Sequence, residues 1–297
     1  MNLDFIAYPL GRFLYFIYNT IAFGNYGLAL ILFTVIVRLA LLPLTIKQYK
    51  STAKMQQIQP KIQEIQKRYK NDKEKLNTEL MRVYQENDVN PAGGCLPLLI
   101  QMPIIFALYW VIVQPLKFML GKTAEQITAL VEYATNAVAP AQLGAQKELS
   151  TLIFFNEYFE KFKEIPQQVA DILKPGELIN MKFLGLNLGK VPSFNPSVLF
   201  GSEAATYLPL LIIPILAVVT TYISARMTMP RTDDKNKNQA AGATNSMMYV
   251  GPIMTLLFAF QLPAGVSLYW TAGYVVQIFQ QLYINKHVIN KKEVATK

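Results

Sequence analysis

One cysteine and one histidine occur in 297 residues, Cys95 and His287. A single cysteine forms no disulfide within its chain, and the two residues cannot make a Cys/His metal cluster. No phosphate loop, nucleophile elbow or zinc-helix motif is present. Charge is also scarce, at 16% Asp, Glu, Lys and Arg, well below the ~25% of an ordinary soluble domain. No Asp or Glu falls inside any of the five long apolar runs. Paired aspartates, Ser with His and zinc ligands are thus missing from the runs, which argues against intramembrane proteolysis. An internal repeat of the kind that marks many transporters is not visible. The expectation is a protein that is not an enzyme, with no catalytic residue, no metal ligand and no cofactor.

What fills the chain is hydrophobic surface, 52% of residues. The apolar runs are 27–46, 96–116, 206–225, 246–262 and 265–284. A helix of about 20 residues spans the ~30 Å hydrocarbon core, so the expected fold class is an all-α integral membrane protein with five transmembrane helices. Only Leu262-Pro263-Ala264-Gly265 separates the last two runs, which predicts a tight helical hairpin. The first run reads GLALILFTVIVRLALLPLTI and carries one charge, Arg38. A charge at that depth costs about 2.5–3.5 kcal/mol on insertion scales. With no acid in any run to pair with it, a wet cavity inside the membrane is the leading account. Snorkelling to an interface is the bland alternative, but Arg38 lies about eight residues from the run's end. Residues 4–23 are apolar and aromatic but broken by Asp4, Pro9, Gly11 and Arg12, which predicts a helix lying in the interface plane. They lack the basic start and small-residue cleavage site of a signal peptide.

Charge orients the chain. Segment 47–94 holds ten Lys and Arg against six acids, 226–245 four against two, and 285–297 four against one. These short basic segments belong in the cytoplasm, whereas 117–205, with eight against nine, belongs outside. The expected layout follows. Residues 1–25 are an external interfacial helix, 26–46 the first span, 47–94 a cytoplasmic helical hairpin and 95–116 the second span. Residues 117–205 form an external, mostly helical segment. Spans three to five occupy 206–284 around a cytoplasmic loop at 226–245, and 285–297 is a basic cytoplasmic tail. The net charge of +9 thus lies mainly on the cytoplasmic side, where it favours anionic headgroups.

Within 47–94, Ile58, Ile62, Ile65 and Tyr69 follow helical spacing, as do Leu76, Leu80 and Val83. Asn71-Asp72 supplies the turn. The seam reads as a solvated antiparallel pair, with Met55 and Met81 available for clients or a partner, and Pro60 is expected to bend or restart the first arm. Outside, 122–138 and 146–174 carry helical patterns, with Thr123 and Gln126 spaced as a capping box. Phe154, Phe155, Tyr158, Phe159 and Phe162 make an aromatic stripe suited to core or membrane-surface packing. Residues 182–196, with Gly185, Gly189, Pro192 and Pro196, are expected to be irregular. Cys95 reads as a small apolar residue and His287 as a solvated one.

Four stretches carry a resemblance. Asn90-Pro91-Ala92-Gly93-Gly94-Cys95-Leu96-Pro97, followed by Gln101-Met102-Pro103-Ile104 and Tyr109, resembles the entry to the second core span of the YidC/Oxa/Alb membrane-protein insertases. Val37-Arg38-Leu39 with Pro43-Leu44 resembles that family's groove arginine. Phe183-Leu184-Gly185-Leu186-Asn187-Leu188-Gly189 resembles the segment leading into the third span. Leu262-Pro263-Ala264-Gly265 with Leu268-Tyr269-Trp270 resembles the hairpin before the fifth. The elements occur in family order and cover most of the chain. The pattern is of the bacterial YidC type, short-tailed and without the large periplasmic domain of the Gram-negative layout.

The resemblance implies a membrane protein insertase and chaperone in a bacterial plasma membrane. Its implied partners are nascent membrane proteins and the lipid bilayer, with the Sec translocon and ribosome as further ones and no specific nucleic-acid sequence. It also implies a hydrophilic groove centred on Arg38. Gln101, Thr220, Thr221, Ser224, Gln261 and Gln277 are its expected polar lining, and Trp270 its border. Ser224 stands where some relatives carry Gln. An interfacial anchor is the plain alternative for Trp270. An anion channel or small-solute transporter using Arg38 as its binding site is the second functional class. A purely structural scaffold is the third.

Overall fold

A computed structural model describes residues 3–89, 96–137, 146–158, 166–228 and 239–289. The described chain is mostly helical. Its elements in order are α1 (Asp4–Thr20), α2 (Tyr26–Ala40), α3 (Leu42–Arg68), α4 (Lys73–Glu86), α5 (Leu96–Val113), α6 (Pro115–Phe118), α7 (Ala124–Ala137), α8 (Lys147–Tyr158) and α9 (Gln167–Ile172). A two-stranded hairpin of β1 (Lys182–Phe183) and β2 (Leu186–Asn187) follows. The chain continues with α10 (Pro196–Leu199), α11 (Ala204–Leu210), α12 (Ile212–Thr228), α13 (Gln239–Ala259) and α14 (Ala264–Ile284).

Apolar length is unevenly distributed. Among the described residues, Ala204–Thr228 alone is long and apolar enough to cross a bilayer, with mean hydropathy 2.1 over its best window. Tyr26–Ala40 and Leu42–Arg68 meet that test together, across a 66° bend. Pro43 sits in the first turn of α3. It has no N–H for the Leu39 carbonyl, so the ladder breaks there and the chain turns. Met102–Val113 and Met248–Ala259 are shorter apolar helices.

The chain divides into two units. The first comprises residues 1–36, 102–217 and 257–272, and the second 37–101, 218–256 and 273–297. The division cuts α2, α5, α12, α13 and α14, so each unit takes one part of each of these helices.

In the first unit, α1 packs on α6. A Cβ on Gly11 would lie 2.5 Å from the Phe118 carbonyl oxygen, so only glycine lets the two backbones approach this closely. Leu14 and Ile17 are wholly buried on this face. Arg12 donates to the Met119 carbonyl at 2.9 Å, and Lys117 pairs with Asp4 at 3.0 Å. The expected capping box of α7 is present, with Thr123 N–H on Gln126 at 2.9 Å and Gln126 N–H on Thr123 at 3.3 Å. Phe154 and Phe155 are buried, and Phe155 stacks on Tyr133 at 6.0 Å, so this part of the aromatic stripe is core. The side chains of Tyr158, Phe159 and Phe162 lie outside the described residues, as do Cys95 and most of the Asn90–Pro97 motif.

The segment expected to be irregular contains the β-hairpin. Lys182 pairs with Asn187 and Phe183 with Leu186. Both turn residues have positive φ, 48° at Leu184 and 81° at Gly185, as a tight two-residue turn requires. Composition had hidden it, because two-residue strands are too short to show alternation.

In the second unit, α3 and α4 pack as the predicted hairpin. Asp72 caps α4 by accepting from Lys75 N–H at 3.1 Å. Ile58, Ile62, Val83 and Val89 form the buried seam, flanked by Met55, Ile65, Leu80 and Tyr84. Two expectations change. Pro60 lies inside α3, which neither stops nor restarts there. Met55 belongs to the seam, whereas Met81 is the exposed methionine.

Candidate functional site

The second unit holds Arg38 near the end of α2, where the residue is half-buried. Among the described residues no carboxylate lies within ion-pair distance of it. What fixes it is its own carbonyl. Gln280 Nε2 of α14 donates to the Arg38 carbonyl oxygen at 3.0 Å. The helix ends two residues later, so this bond supplies a donor where the backbone ladder is about to break.

The same face of α14 repeats the device. Gln281 Nε2 donates to the Met227 carbonyl at 2.9 Å, at the end of α12. Gln56 of α3 donates to the Thr228 carbonyl at 2.6 Å. Tyr49 of α3 donates to the Gln277 carbonyl at 3.4 Å. Three carboxamides thus stand in for missing last-turn donors of α2 and α12, while the Tyr49 phenol meets a carbonyl within α14. Burial pushes the Tyr49 phenol up to about 12, and the Arg38 charge acts in the opposite direction. Tyr49 therefore stays a neutral donor within the electrostatic reach of Arg38.

The hydroxyl row of α12 is buried. Thr220, Thr221 and Ser224 are 9%, 3% and 3% exposed. They recur at helical spacing, so they share one face of α12. Thr221 and Thr255 of α13 have their hydroxyls 3.4 Å apart. Thr228, one turn after Ser224, donates to the Ser224 carbonyl at 2.7 Å.

The expected lining divides accordingly. Arg38, Thr220, Thr221, Ser224 and Gln277 belong to the second unit, with Gln277 half-buried. The backbone of Gln101 lies in α5, and its side chain is outside the described residues. Gln261 and Trp270 belong to the first unit. Gln261 is exposed beside the turn before α14, and Trp270 packs edge-on to Phe258 at 6.3 Å.

Sequence reading missed Gln280, Gln281, Tyr49, Gln56 and Thr255. The signal was legible in part. Gln277, Gln280 and Gln281 sit at i, i+3 and i+4 in an otherwise apolar helix, which marks one polar face. Nothing in the sequence pairs Gln280 and Gln281 with the carbonyls that they meet.

The model of one family, described as 60Kd inner membrane protein, matches residues 16–292. The chain belongs to this family. Membrane protein insertase YidC 2 of Listeria innocua is 31% identical over 293 residues, covering 97% of this chain and 74% of that protein. Membrane protein insertase YidC of Oceanobacillus iheyensis is 32% identical over 273 residues, covering 90% and 77%. That of Fusobacterium nucleatum is 27% identical over 286 residues, covering 96% and 98%. The resemblance read from the motifs and the family match agree. The family is one of membrane-embedded insertases, and nothing in these relatives supports the anion-channel alternative.

Proposed function

We propose that this chain inserts nascent membrane-protein segments into the lipid bilayer, with half-buried Arg38 as the charge that a client meets and the buried hydroxyls of α12 adding polarity within the same unit. The observation that carries this reading is Arg38 itself. It is a half-buried cation with no carboxylate partner among the described residues, its backbone held by Gln280. An acidic or polar client segment gains Coulomb energy there, about 1 kcal/mol at 4 Å in water and about 4 kcal/mol at an effective dielectric of 20. Hydration around the charge shortens the hydrocarbon that the client segment must cross. Transfer of its apolar helix to lipid supplies the drive, so no nucleotide is needed.

The topology belongs to the same proposal. Five spans, the N-terminus outside and the C-terminus in the cytoplasm follow from the Lys/Arg bias. One contact set supports this layout. The starts of α2 and α14 and the end of α13, expected on one side, all touch the segment around the β-hairpin. Single cysteines at Lys61 and Glu125, in a Cys95→Ser background, are expected to react with an impermeant thiol reagent from opposite faces. Reaction of both from one face would overturn the layout.

Reconstituted insertion tests the function. Single-span clients with acidic or neutral external tails are presented to liposomes holding the parent, Arg38→Lys or Arg38→Ala. Arg38→Lys keeps the charge but not the planar fork, so it should retain partial activity. Arg38→Ala should lower insertion of acidic-tailed clients at least about fivefold, the lower Coulomb figure above, and spare neutral tails. Its thermal stability should hold or rise, because a costly charge is gone. Normal insertion of acidic clients by Arg38→Ala would end the groove-charge mechanism.

A further inference from the structure

We infer that the tip of the β-hairpin, Leu184, is a lipid anchor that enters the acyl boundary of the leaflet where α2 and α14 begin. This rests on the reading that these helices span the bilayer. Three contacts within the first unit fix the hairpin's level. A Cβ built on Gly27, the second residue of α2, would lie 2.2 Å from Cγ of the Phe183 ring, so ring and helix start are in direct contact. The first N–H groups of α14, on Ala264 and Gly265, donate to the carbonyls of Lys190 and Leu188 at 2.9 and 2.8 Å. Phe194 stacks edge-on to Phe260, just past the end of α13, at 5.4 Å. The hairpin is therefore pinned where three apolar helices start or stop.

The hairpin tip and the segment after it carry exposed apolar side chains. Leu184 is 84% exposed, Phe194 74% and Phe200 79%. Leu184 also occupies a position with φ of 48°, where an L residue meets its own carbonyl and Asn or Gly is the ordinary occupant. An apolar residue kept at a strained position, with almost no burial inside the protein, has its stabilising contacts elsewhere. Hydrocarbon at the headgroup boundary supplies them. Lys182, exposed and two residues before the tip, places an ammonium at headgroup depth, the usual company of an interfacial apolar anchor.

Depth measurement tests this directly. Leu184→Cys in a Cys95→Ser background carries an environment-sensitive fluorophore in vesicles of phosphatidylcholine and phosphatidylglycerol. Glu125→Cys, exposed on α7 of the same unit, carries the same fluorophore as reference. Iodide is present on both sides of the membrane. The expected result is emission at 184 quenched severalfold more by lipid labelled with a shallow nitroxide than the emission at 125, and severalfold less by iodide. Phe200→Cys serves as a second reporter should the label at 184 prevent folding. It is expected to behave as 184 does. Iodide quenching at the tip equal to that at 125, without nitroxide quenching, would overturn the inference. Nitroxide quenching of equal strength at 125 would overturn it too, since the tip would not be special. No client is present, so a protein that fails to insert clients yet shows a lipid-quenched tip refutes the insertase reading and leaves the anchor standing.

Discussion

Replacing Gln280 with Leu separates the stability of the fold from the placement of Arg38. The substitution removes the donor to the Arg38 carbonyl. It also removes Gln280 Oε1, a buried acceptor with no partner among the described residues. These losses oppose each other. Interhelical hydrogen bonds in membranes average about 0.6 kcal/mol and reach about 1.7. Deleting an unsatisfied buried acceptor recovers free energy of comparable size. Net thermal stability of Gln280→Leu should thus change by less than about 1 kcal/mol. The last turn of α2, however, loses the contact that fixes Arg38. If that bond's 0.6–1.7 kcal/mol is all expressed in client capture, insertion of acidic-tailed clients falls about three- to eighteen-fold. The assay is liposome insertion yield, paired with thermal unfolding, for the parent, Gln280→Leu, Arg38→Ala and the double variant. If Gln280 acts by placing Arg38, the double variant is no worse than Arg38→Ala, because the two losses are one loss. Additive losses would refute the reasoning and leave Gln280 a packing residue. A large stability drop with unchanged activity per folded molecule would refute it as well.

Two other outcomes follow from the structure. Ile62 is 4% exposed in the α3–α4 seam, so Ile62→Asp should destabilise the hairpin by roughly 2 kcal/mol or more through an unpaired buried charge. Increased amide exchange confined to 47–89, with insertion reduced, is the expected reading, and full activity with an unfolded hairpin would remove the hairpin from the mechanism. Glu148 accepts a hydrogen bond from Lys117 N–H at 3.2 Å, and burial, only partly offset by that bond and the Lys117 charge, raises its carboxyl to about 7. Its folded value lies above its unfolded one, so the native state holds the proton more tightly, and stability falls as pH rises from about 4.5 to about 7. About 1–2 kcal/mol is at stake after discounting for its partial exposure. Glu148→Gln should flatten melting temperature between pH 5 and 8, and an unchanged slope in that variant would assign the dependence to another group.

What the sequence by itself determined is what rests on local pattern and composition. Apolar runs, one deep arginine and the Lys/Arg bias define the class and the expected layout, because burying apolar area and placing charge are additive along the chain. The Thr123–Gln126 box was readable for the same reason, since it is a contact over three residues, and Asn71-Asp72 was readable as a turn although the Asp72 cap was not foreseen. The α3–α4 seam was readable from its spacing, although Met55 was assigned to the outer face and packs on the seam, and α3 runs through Pro60 without a restart. Contacts between distant residues were decided by tertiary structure alone. Gln280 reaches a carbonyl 242 residues away, and Gln56 one 172 residues away. Leu188 and Lys190 cap the start of α14 with backbone carbonyls, which leave no trace in side-chain identity. Gly265, whose Cβ would lie 3.3 Å from the Leu188 oxygen, is the residue that this approach selects. A helix end needs some donor or acceptor wherever its ladder stops. The sequence shows where the ladders stop, and only the folded chain decides which distant group arrives to complete them.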